Sequence, residues 1–521
     1  MPSVNTNRSN KKPRSGRSTE PSKTAAPQKA PSEAAPEERR ALDRVLSFLV
    51  YATFFLCLIY PYRDFDWGYH YRYGEYLLNH GELLRKDIFS WSMDGYKWVN
   101  HAWLYDPLVY LIYRWFSFAG LSVVGAIVCF LSFYLGVKKW ALSYWQIGLL
   151  AIFFQNATSP VINQGIRSQV VALLLYSALL YCLFQERDGK KWSYWAFPFI
   201  FLIWANLHGS FPLGLAIFAV FLTCDFLLLF RSKVISVPCR WLLLAASFMA
   251  SVAATFINPF TYHVYVEAFR HFGDPLLVYV TEWDYLRVGS WGGRFFAIFS
   301  LSLLTGFIIR RRLSDLPFIV TSLILGYLAV RAMRHVSPFM IITLPFAAMM
   351  LRDAHLNFER RFRAVPVISA GIIAATLWFV SAKRIFPLQL PSYSMEAYCS
   401  YGPKCSEVLT QYLLQNPPMG RGFNYYDWGS YLVGRGIRAK IFVDGRMHLW
   451  ERDGYRAFAE YWRIYNDHDM KKFSQYRFDW VIAQTNSTLS RILESANDGL
   501  GLGRWKKVFS DRRASYFVRE E

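Results

Sequence analysis

Long apolar runs separated by short polar segments dominate the chain between residues 44 and 381. Runs such as VLSFLVYATFFLCLIY and LGLAIFAVFLTCDFLLLF need a bilayer rather than a shell of water-facing residues. At about 1.5 Å of rise per helical residue, the runs long enough to cross predict eleven spans, at 44–60, 118–137, 142–158, 166–185, 193–207, 210–230, 239–257, 294–309, 316–333, 336–351 and 364–381.

Residues 101–116, HAWLYDPLVYLIYRWF, are apolar but carry Asp106, Pro107 and Arg114. A charged residue at the centre of a span costs about 3 kcal/mol on insertion scales. We therefore predict that this segment is a helix lying along the outer surface. If it crosses instead, the sidedness of every later loop reverses.

From about residue 384 the apolar runs stop, and a mixed pattern predicts a small α/β domain. The pattern predicts helices in SEVLTQYLLQ, DWGSYLVGRG and STLSRILESA, strands in RGFNYY, AKIFVDG and DWVIAQ, and a closing hairpin of WKKVFSD and ASYFVRE. GLGLGR near the end lacks the preceding strand and following helix that a dinucleotide site needs.

The formal net charge of +21 comes mostly from a polar N-terminal tail and from short basic clusters between apolar runs. Such clusters orient membrane proteins, so the charge does not indicate a nucleic-acid partner. With the tail in the cytoplasm, eleven spans place Lys138-Lys139, ERDGKK, RSK, Arg310-Arg311-Arg312 and ERRFR on the inner side. The outer side then receives the first outer loop 61–117, the turns NQGIRSQ and NLHGS, the later outer loop 258–293, RAMRHVS and the C-terminal region.

Residues 1–40 are rich in Pro, Ser, Lys and Arg, which predicts a disordered basic cytoplasmic tail. This tail is too long and polar for the n-region of an ordinary signal peptide, so the first apolar run is expected to stay as an anchor. The predicted organisation is therefore a tail at 1–40, a transmembrane domain at 41–383 and an extracytoplasmic α/β domain at 384–521.

Two of the seven cysteines differ from the other five, which lie in or beside apolar runs. Cys399 and Cys405 fall in the polar segment CSYGPKC. They are either free thiols or, if this region lies outside the cytoplasm, a small-loop disulfide.

Candidate chemistry concentrates in the predicted outer segments. In RDFDWGYHY, Asp64 and Asp66 are spaced so that a short turn aims both carboxylates at one point. Such a pair holds a divalent cation or acts as a general base, unless it only caps the start of a helix. His70 follows closely, and by itself it is equally typical of an interfacial histidine.

Further ionisable groups fall on the same predicted face. Glu282 lies among aromatic residues in VYVTEWDYL. Arg331, Arg334 and His335 mark the outer ends of two spans, where cytoplasmic orientation signals should be absent. Arginine suits a phosphate held at a membrane surface because its planar fork binds two oxygens, although snorkelling to headgroups is the alternative.

Arg167 in QGIRSQ and His208 in NLHGS occupy two more outer turns, and each by itself is equally typical of a structural residue. Because so many polar groups converge on one membrane face, we predict a functional site there. The sequence has no nucleophile elbow, Cys-x-x-Cys pair, His-Glu-x-x-His motif or Walker loop, which argues against a nucleotide-driven pump.

The order of these motifs resembles that of the GT-C superfamily of integral-membrane glycosyltransferases, which use polyprenyl-phosphate-linked sugars. DFDWGYHYRYGEYLLNHG is similar to the first outer loop of oligosaccharyltransferase catalytic subunits, which makes Asp66 the expected catalytic acid and Asp64 a close second. GIRSQVVA resembles their Ser-Arg-Ser segment, and VTEW resembles their Thr/Ser-x-x-Glu motif, with Glu282 as its acid. YYDWGSYL resembles their Trp-Trp-Asp-Tyr-Gly motif, and a segment ending in Asp444 follows it.

The chain also resembles a broad group of bacterial membrane proteins. Their shared pattern is a first-loop Asp-x-Asp, a following His, a Trp-x-x-His-x-Trp element and a C-terminal Asp-Gly-Arg, here Asp64, Asp66, His70, Trp98, His101, Trp103 and VDGR at 443–446. The resemblance to this group supports the predicted fold more than it indicates any particular substrate. It implies an integral protein of the bacterial inner (plasma) membrane.

The candidate residues divide by expected role. Asp66, Asp64 and Glu282 are expected to be catalytic, Arg334, Arg331, His335 and Arg167 to bind the donor phosphate, and His70, His101, His208, Tyr426, Asp427 and Trp428 to bind substrate. A metal ion, Mg²⁺ or Mn²⁺ if one is used, is expected on Asp64, Asp66 and Glu282. Gln169 and apolar residues stand where oligosaccharyltransferases have an acidic cluster, which weakens the case for that metal site.

We therefore expect a membrane glycosyltransferase that moves a sugar from a polyprenyl-phosphate-linked donor to a glycan, lipid or protein acceptor outside the cytoplasm. Asp66, helped by Asp64 or Glu282, would remove or orient the acceptor proton while Arg334 stabilises the leaving phosphate. Two other functions fit the same residues. One is a transporter or flippase for a lipid-linked glycan, although the spans show no obvious inverted repeat. The other is a non-catalytic partner in a glycan assembly complex.

Overall fold

The computed structural model describes residues 36–231, 238–271, 273–358, 371, 390, 393–495 and 502–520. Apart from residue 371, the predicted span at 364–381 lies outside the described residues, as does the tail to residue 35. Helices α1 to α12 lie at Pro36–Leu58, Trp67–His80, Tyr105–Val137, Tyr144–Ile162, Ser168–Arg187, Ser193–Leu207, Phe211–Arg231, Cys239–Ala254, His263–Arg270, Trp291–Arg310, Leu316–Arg331 and Val336–Phe358. Helix α1 begins at Pro36, inside the predicted tail, because proline at the first helical position removes no intrahelical hydrogen bond.

Six helical segments in the described chain are long and apolar enough to cross a membrane. They are Tyr105–Trp140, Ser168–Arg187, Phe211–Leu229, Trp291–Arg310, Leu313–Arg331 and Met333–Asp353. Two more helices, α6 and α8, are apolar but shorter. The chain is therefore an integral membrane protein, whereas the count of eleven spans stays a prediction.

Helix α3 joins the segment predicted to lie on the outer surface to the span that follows it. The backbone leaves the helical region at Ser117, with φ 55° and ψ −159°. This kink falls between the predicted surface helix and the predicted span at 118–137. The position of residues 101–116 along the outer surface stays a prediction.

Basic residues at helix ends meet acids at one end of the helical bundle. The ion pairs there include Lys139–Asp188 at 2.5 Å, Arg240–Glu186 at 2.7 Å and Arg310–Asp315 at 2.9 Å. Of these residues, Lys139, Glu186, Asp188 and Arg310 belong to the clusters predicted for the inner side. The residues of the candidate site lie at the opposite ends of the same helices.

The C-terminal region contains six further helices and one sheet among the described residues. Helices α13 to α18 lie at Met395–Tyr401, Glu407–Gln415, Tyr426–Arg435, Ala457–Tyr465, Met470–Tyr476 and Thr488–Ser495. Strands β1 to β4 lie at Gly422–Asn424, Trp480–Gln484, Arg504–Ser510 and Ala514–Glu520, in the order β1-β2-β4-β3. Strands β1 and β2 are parallel, and the other neighbours are antiparallel. The predicted closing hairpin is confirmed, and Cys399 and Cys405 form a disulfide.

The predicted strand AKIFVDG is wrong, because none of the strands in the described ranges pairs with it. The side-chain oxygen of Asn424 accepts from the Phe442 and Val443 backbone amides at 2.8 and 3.3 Å. Ile441 instead pairs with the first outer loop, where its amide donates to the carbonyl of Phe89 at 3.0 Å. A buried asparagine and a loop thus satisfy the backbone groups that a sheet ladder would otherwise satisfy.

The first outer loop and the C-terminal region share one hydrophobic core. Tyr69, Tyr73 and Trp98 from the loop are buried in the same cluster as Phe423 and Trp450. Helix α2 also crosses helix α15 by direct backbone contact, since a Cβ on Gly68 would lie 1.7 Å from the Ser430 carbonyl oxygen. The C-terminal region therefore holds the first outer loop, and with it Asp64 and Asp66, in place.

Candidate functional site

Three carboxylates meet around one arginine beside the first outer loop. Arg167 Nε lies 3.0 Å from Asp64 Oδ1, and Arg167 Nη2 lies 3.7 Å from Asp66 Oδ2. Arg167 Nη1 pairs with Glu282 Oε1, and Gln169 Nε2 donates to Glu282 Oε2 at 2.7 Å. The three acids predicted to be catalytic therefore form one cluster, in which Arg167 is the fixed positive charge.

Asp66 has the position of a helix cap without the function of one. It precedes helix α2, but its side chain makes no capping hydrogen bond. Its side chain is 26% exposed, whereas that of Asp64 is 2% exposed. Asp64 is thus committed to holding Arg167, and Asp66 is the carboxylate of the pair that an incoming molecule can reach.

The cluster gives its carboxylates different affinities for protons. Burial and the charge of Asp64 raise the pKa of Asp66 to about 7, against the opposing effect of Arg167. Burial also raises the pKa of Glu282, but Arg167 and then Arg334 outweigh it and hold that pKa at about 2. At neutral pH Glu282 is ionised while Asp66 is poised to take up a proton, as a general base requires.

The turn 443–446, VDGR, lies directly against Asp66. A Cβ on Gly445 would lie 2.2 Å from Asp66 Oδ1, so a larger residue at this position would displace the Asp66 carboxylate. Arg446 holds the turn from behind, with Nη2 2.6 Å from Asp444 Oδ2 and Nη1 2.8 Å from Asp87 Oδ1. All three of these side chains are fully buried. This ion-pair network joins the first outer loop to the C-terminal region behind the candidate base.

His70 is anchored and buried. Its Nδ1 lies 2.6 Å from Asp106 Oδ1, and Asn100 Nδ2 donates to Asp106 Oδ2 at 2.6 Å. His70 lies one helical turn after Asp66, and its backbone amide donates to the Asp66 carbonyl at 3.4 Å. A buried carboxylate therefore occupies the His70 Nδ1, and contacts within the protein hold the ring in place.

A cavity of about 340 Å³ lies beside the carboxylate cluster, with Gln169 in its wall. Arg334 and Trp283 both line it, and the central carbon of the guanidinium lies 4.5 Å from the centroid of the Trp283 ring. His101, His208 and His335 also line the cavity. Three of the predicted substrate and phosphate ligands thus share one space with Arg334.

Some predicted ligands lie elsewhere. Arg331 is exposed over the Tyr285 ring and does not line the cavity. Trp428 is 2% exposed and donates its Nε1 hydrogen to the Pro403 carbonyl at 2.9 Å, so packing accounts for it. Asp427 accepts from the Tyr425 hydroxyl at 3.1 Å.

Tyr426 is close enough to the carboxylate cluster for the charge of Asp66 to act on its hydroxyl. Burial and then the charge of Asp66 raise the pKa of its hydroxyl well above the ordinary value. Tyr426 therefore stays protonated near Asp66, as a neutral hydrogen-bond donor.

Four contributors to the site were not predicted from the sequence. Trp283 supports Arg334, Asp106 holds His70, and His271 and His448 approach each other with 3.5 Å between their Nε2 atoms. His271 stacks on Trp283 with 5.7 Å between ring centroids. The sequence offers a signal for Trp283, because this residue follows Glu282 in the VTEW motif. It offers none for His271 and His448, which belong to no local motif.

The residues of the cluster do not fit the divalent metal ion that the family resemblance implies. Arg167 pairs with Asp64, Asp66 and Glu282 and so supplies the positive charge that these acids would otherwise take from a cation. Across the described ranges, no three His, Cys, Asp or Glu side chains are arranged to hold a metal. Gln169 donates to Glu282 where a further acid would be needed.

No family model matches the chain, and no curated protein sequence matches it. Solved structures do match. The oligosaccharyltransferase of Archaeoglobus fulgidus in the apo form is 11% identical with a TM-score of 0.50, over 86% of this chain and 70% of that one. The same organism's AglB, in complex with an inhibitory peptide and a dolichol-phosphate, is 10% identical with a TM-score of 0.51, over 86% and 70%. ArnT from Cupriavidus metallidurans, bound to undecaprenyl phosphate, is 12% identical with a TM-score of 0.51, over 93% and 98%.

At these identities the similarity concerns the fold. The chain has the fold of the GT-C glycosyltransferases, as the resemblance in the sequence predicted. ArnT matches nearly end to end, so the likeness includes the C-terminal region as well as the helical bundle.

Proposed function

We propose that the protein is a membrane glycosyltransferase that moves a sugar from a lipid-phosphate-linked donor to an acceptor on the extracytoplasmic face. The observation that carries this proposal is that Asp66, a partly exposed carboxylate with a pKa of about 7, shares Arg167 with Glu282. Glu282 in turn accepts a hydrogen bond from Gln169, which lines the same cavity as Arg334. The bound dolichol-phosphate and undecaprenyl phosphate of the two structural neighbours support a lipid phosphate as the donor's carrier.

Asp66 would act as the general base. It would accept the proton of the acceptor while the acceptor atom attacks the anomeric carbon of the donor sugar. Asp64 and Glu282 are held on Arg167 and would fix the geometry around it. Because Asp64 and Gly445 confine Asp66, little reorientation is needed before proton transfer.

Arg334 would stabilise the leaving phosphate. In the described chain no carboxylate comes within ion-pairing distance of its guanidinium, and the Trp283 ring fixes its plane. A guanidinium with free N–H groups in a half-buried cavity is a strong ligand for phosphate oxygens. His101 and His208 would add uncharged hydrogen bonds at the same cavity wall.

The orientation of the protein is a part of this proposal. The site is assembled from the first outer loop, the turn at Arg167, the later outer loop and the C-terminal region. The Cys399–Cys405 disulfide is typical of an oxidising compartment. A topology reporter fused after residue 495 should report an extracytoplasmic position, and a cytoplasmic signal would contradict the orientation.

The rate of sugar transfer is expected to rise with pH through about 7. Below the pKa of Asp66 the carboxyl group already carries a proton and cannot accept another, so the activity is lost as the pH falls. Glu282 stays ionised over the same interval because its pKa is about 2. The measurement is kcat/KM for transfer between about pH 5 and 9, and a flat profile would contradict the role of Asp66.

Replacing Arg334 with glutamine is expected to lower kcat/KM by about 10²–10³-fold. The glutamine variant removes the charge that faces the leaving phosphate. Arg334→Lys keeps the charge but loses the planar fork, so its kcat/KM should lie between those of the wild type and the glutamine variant. Arg287→Gln is the matched control, since Arg287 is an exposed arginine of the later outer loop. Equal activity of the Arg334→Gln and Arg287→Gln variants would exclude Arg334 from the site.

The function is tested with purified protein in nanodiscs, a labelled polyprenyl-phosphate sugar and a cell-envelope extract as the source of acceptor. We expect the label to appear on an envelope component and the lipid phosphate to be released. A flippase would instead move the labelled lipid across a vesicle membrane without cleaving it. Asp66→Asn protein serves as the negative control for sugar transfer.

A further inference from the structure

The cavity beside the carboxylate cluster is lined by both polar and apolar side chains. Gln169, His208 and Arg334 are among the polar ones. Leu173, Leu213 and Leu328 are among the apolar ones. An amphiphile with an anionic head and a hydrocarbon chain matches this mixed lining.

The permanent positive charge available to that head is one guanidinium. Arg167 is already paired with three carboxylates. Arg456 of the C-terminal region is paired with Asp274 of the later outer loop at 2.8 Å. Arg334 is therefore the single arginine of the described cavity wall that keeps its charge for a ligand.

The histidines of this region add hydrogen bonds without adding charge at neutral pH. Burial, followed by the charge of Arg334, lowers the pKa of His101 to about 4 and that of His271 to about 2. Burial likewise lowers the pKa of His208 well below its usual value. Each of these rings is a neutral donor or acceptor toward a bound anion.

The carboxylates also limit the negative charge that the site tolerates. Glu282 is ionised, and its charge is close enough to Arg334 to act on it. The guanidinium of Arg167 takes the position between the acids, so a divalent cation has no matching set of ligands there. Each additional negative charge on a donor would face Glu282 and Asp64 with no further cation to offset it.

We infer that the donor carries its sugar on a single phosphate, rather than on a pyrophosphate. This inference rests on the proposed function and names its substrate class. A phosphodiester donor brings one negative charge, whereas a pyrophosphate donor brings two. The bond between the anomeric carbon and the phosphate oxygen breaks, and its electron pair stays on that oxygen. The acceptor atom bonds to the anomeric carbon and its proton passes to Asp66, so the products are a glycosylated acceptor and a lipid monophosphate.

The test compares two lipids that differ by one phosphate group. Undecaprenyl phosphate, undecaprenyl pyrophosphate and the uncharged undecaprenol are titrated against the purified protein in nanodiscs, with Mg²⁺ and with EDTA. We expect the monophosphate to bind at least about 10-fold more tightly than the pyrophosphate, with no effect of Mg²⁺. In Arg334→Gln protein that affinity should fall toward the affinity for undecaprenol, while Arg287→Gln protein should behave like the wild type.

The outcomes separate the inference from the function on which it rests. Tighter binding of the pyrophosphate, or pyrophosphate binding that requires Mg²⁺, would overturn the inference and leave the proposed glycosyltransferase in place. Equal binding of all three lipids would overturn both, because the cavity would then recognise no phosphate. A preference for the monophosphate that survives in Arg334→Gln protein would overturn the assignment of the charge to Arg334.

Discussion

Replacing Asp66 with asparagine is expected to reduce the rate of sugar transfer by about 10²–10⁴-fold, the range for loss of a general base. Asparagine has nearly the same shape and keeps the hydrogen bond from the Asp66 backbone to Asp64. It cannot accept the acceptor's proton, however. The variant should therefore insert, fold and bind lipid phosphate like the wild type while losing kcat.

The matched control is Asp284→Asn. Asp284 is an acid of the later outer loop, two residues after Glu282, and its side chain makes no ion pair among the described residues. The control removes the same charge from the same face of the protein. Equal activity in the two variants would exclude Asp66 as the base, and a non-catalytic partner would then be the better interpretation.

Replacing Arg446 with methionine is expected to destabilise the protein by about 3–5 kcal/mol, because it leaves two buried carboxylates without a positive charge to offset theirs. Arg446, Asp87 and Asp444 are fully buried, and the guanidinium also donates to the Tyr73 hydroxyl at 2.9 Å. The network joins the first outer loop to the turn that confines Asp66. The variant should therefore unfold more readily and also lose activity.

Lys440→Met is the control for this prediction. Lys440 pairs with Asp94 at 2.8 Å between the same two regions, but the two side chains are 46% and 54% exposed. Such an exposed pair contributes about 0–1 kcal/mol. Denaturant unfolding in detergent measures both variants, and equal midpoints would contradict the importance of the buried network.

The sequence predicted the contents of the candidate site better than its geometry. The count of spans and the order of the motifs predict one membrane face for Asp64, Asp66, Arg167 and Glu282, and these four residues lie within one cluster. The count of spans assigns each loop to a side of the membrane, but it gives no distances. That Arg167 pairs with all three acids depends on packing between segments far apart in the chain, which no local pattern records.

Local patterns also failed where side chains replace backbone partners. AKIFVDG has the composition of a strand, but Asn424 satisfies the backbone at Phe442 and Val443. Trp428 belongs to a motif whose residues are expected to bind substrate, yet its ring is buried. In both cases tertiary contacts decided the outcome, and propensity or motif similarity alone could not.

The most direct test of the glycosyltransferase assignment is mass spectrometry of cell-surface glycans and glycoproteins from cells that lack the gene. These cells are compared with cells complemented by wild-type or Asp66→Asn protein. We expect that one glycan loses a sugar in the deletion strain, that the wild-type protein restores it, and that the Asp66→Asn protein does not. Unchanged glycans in the deletion strain, or full restoration by the Asp66→Asn protein, would contradict it.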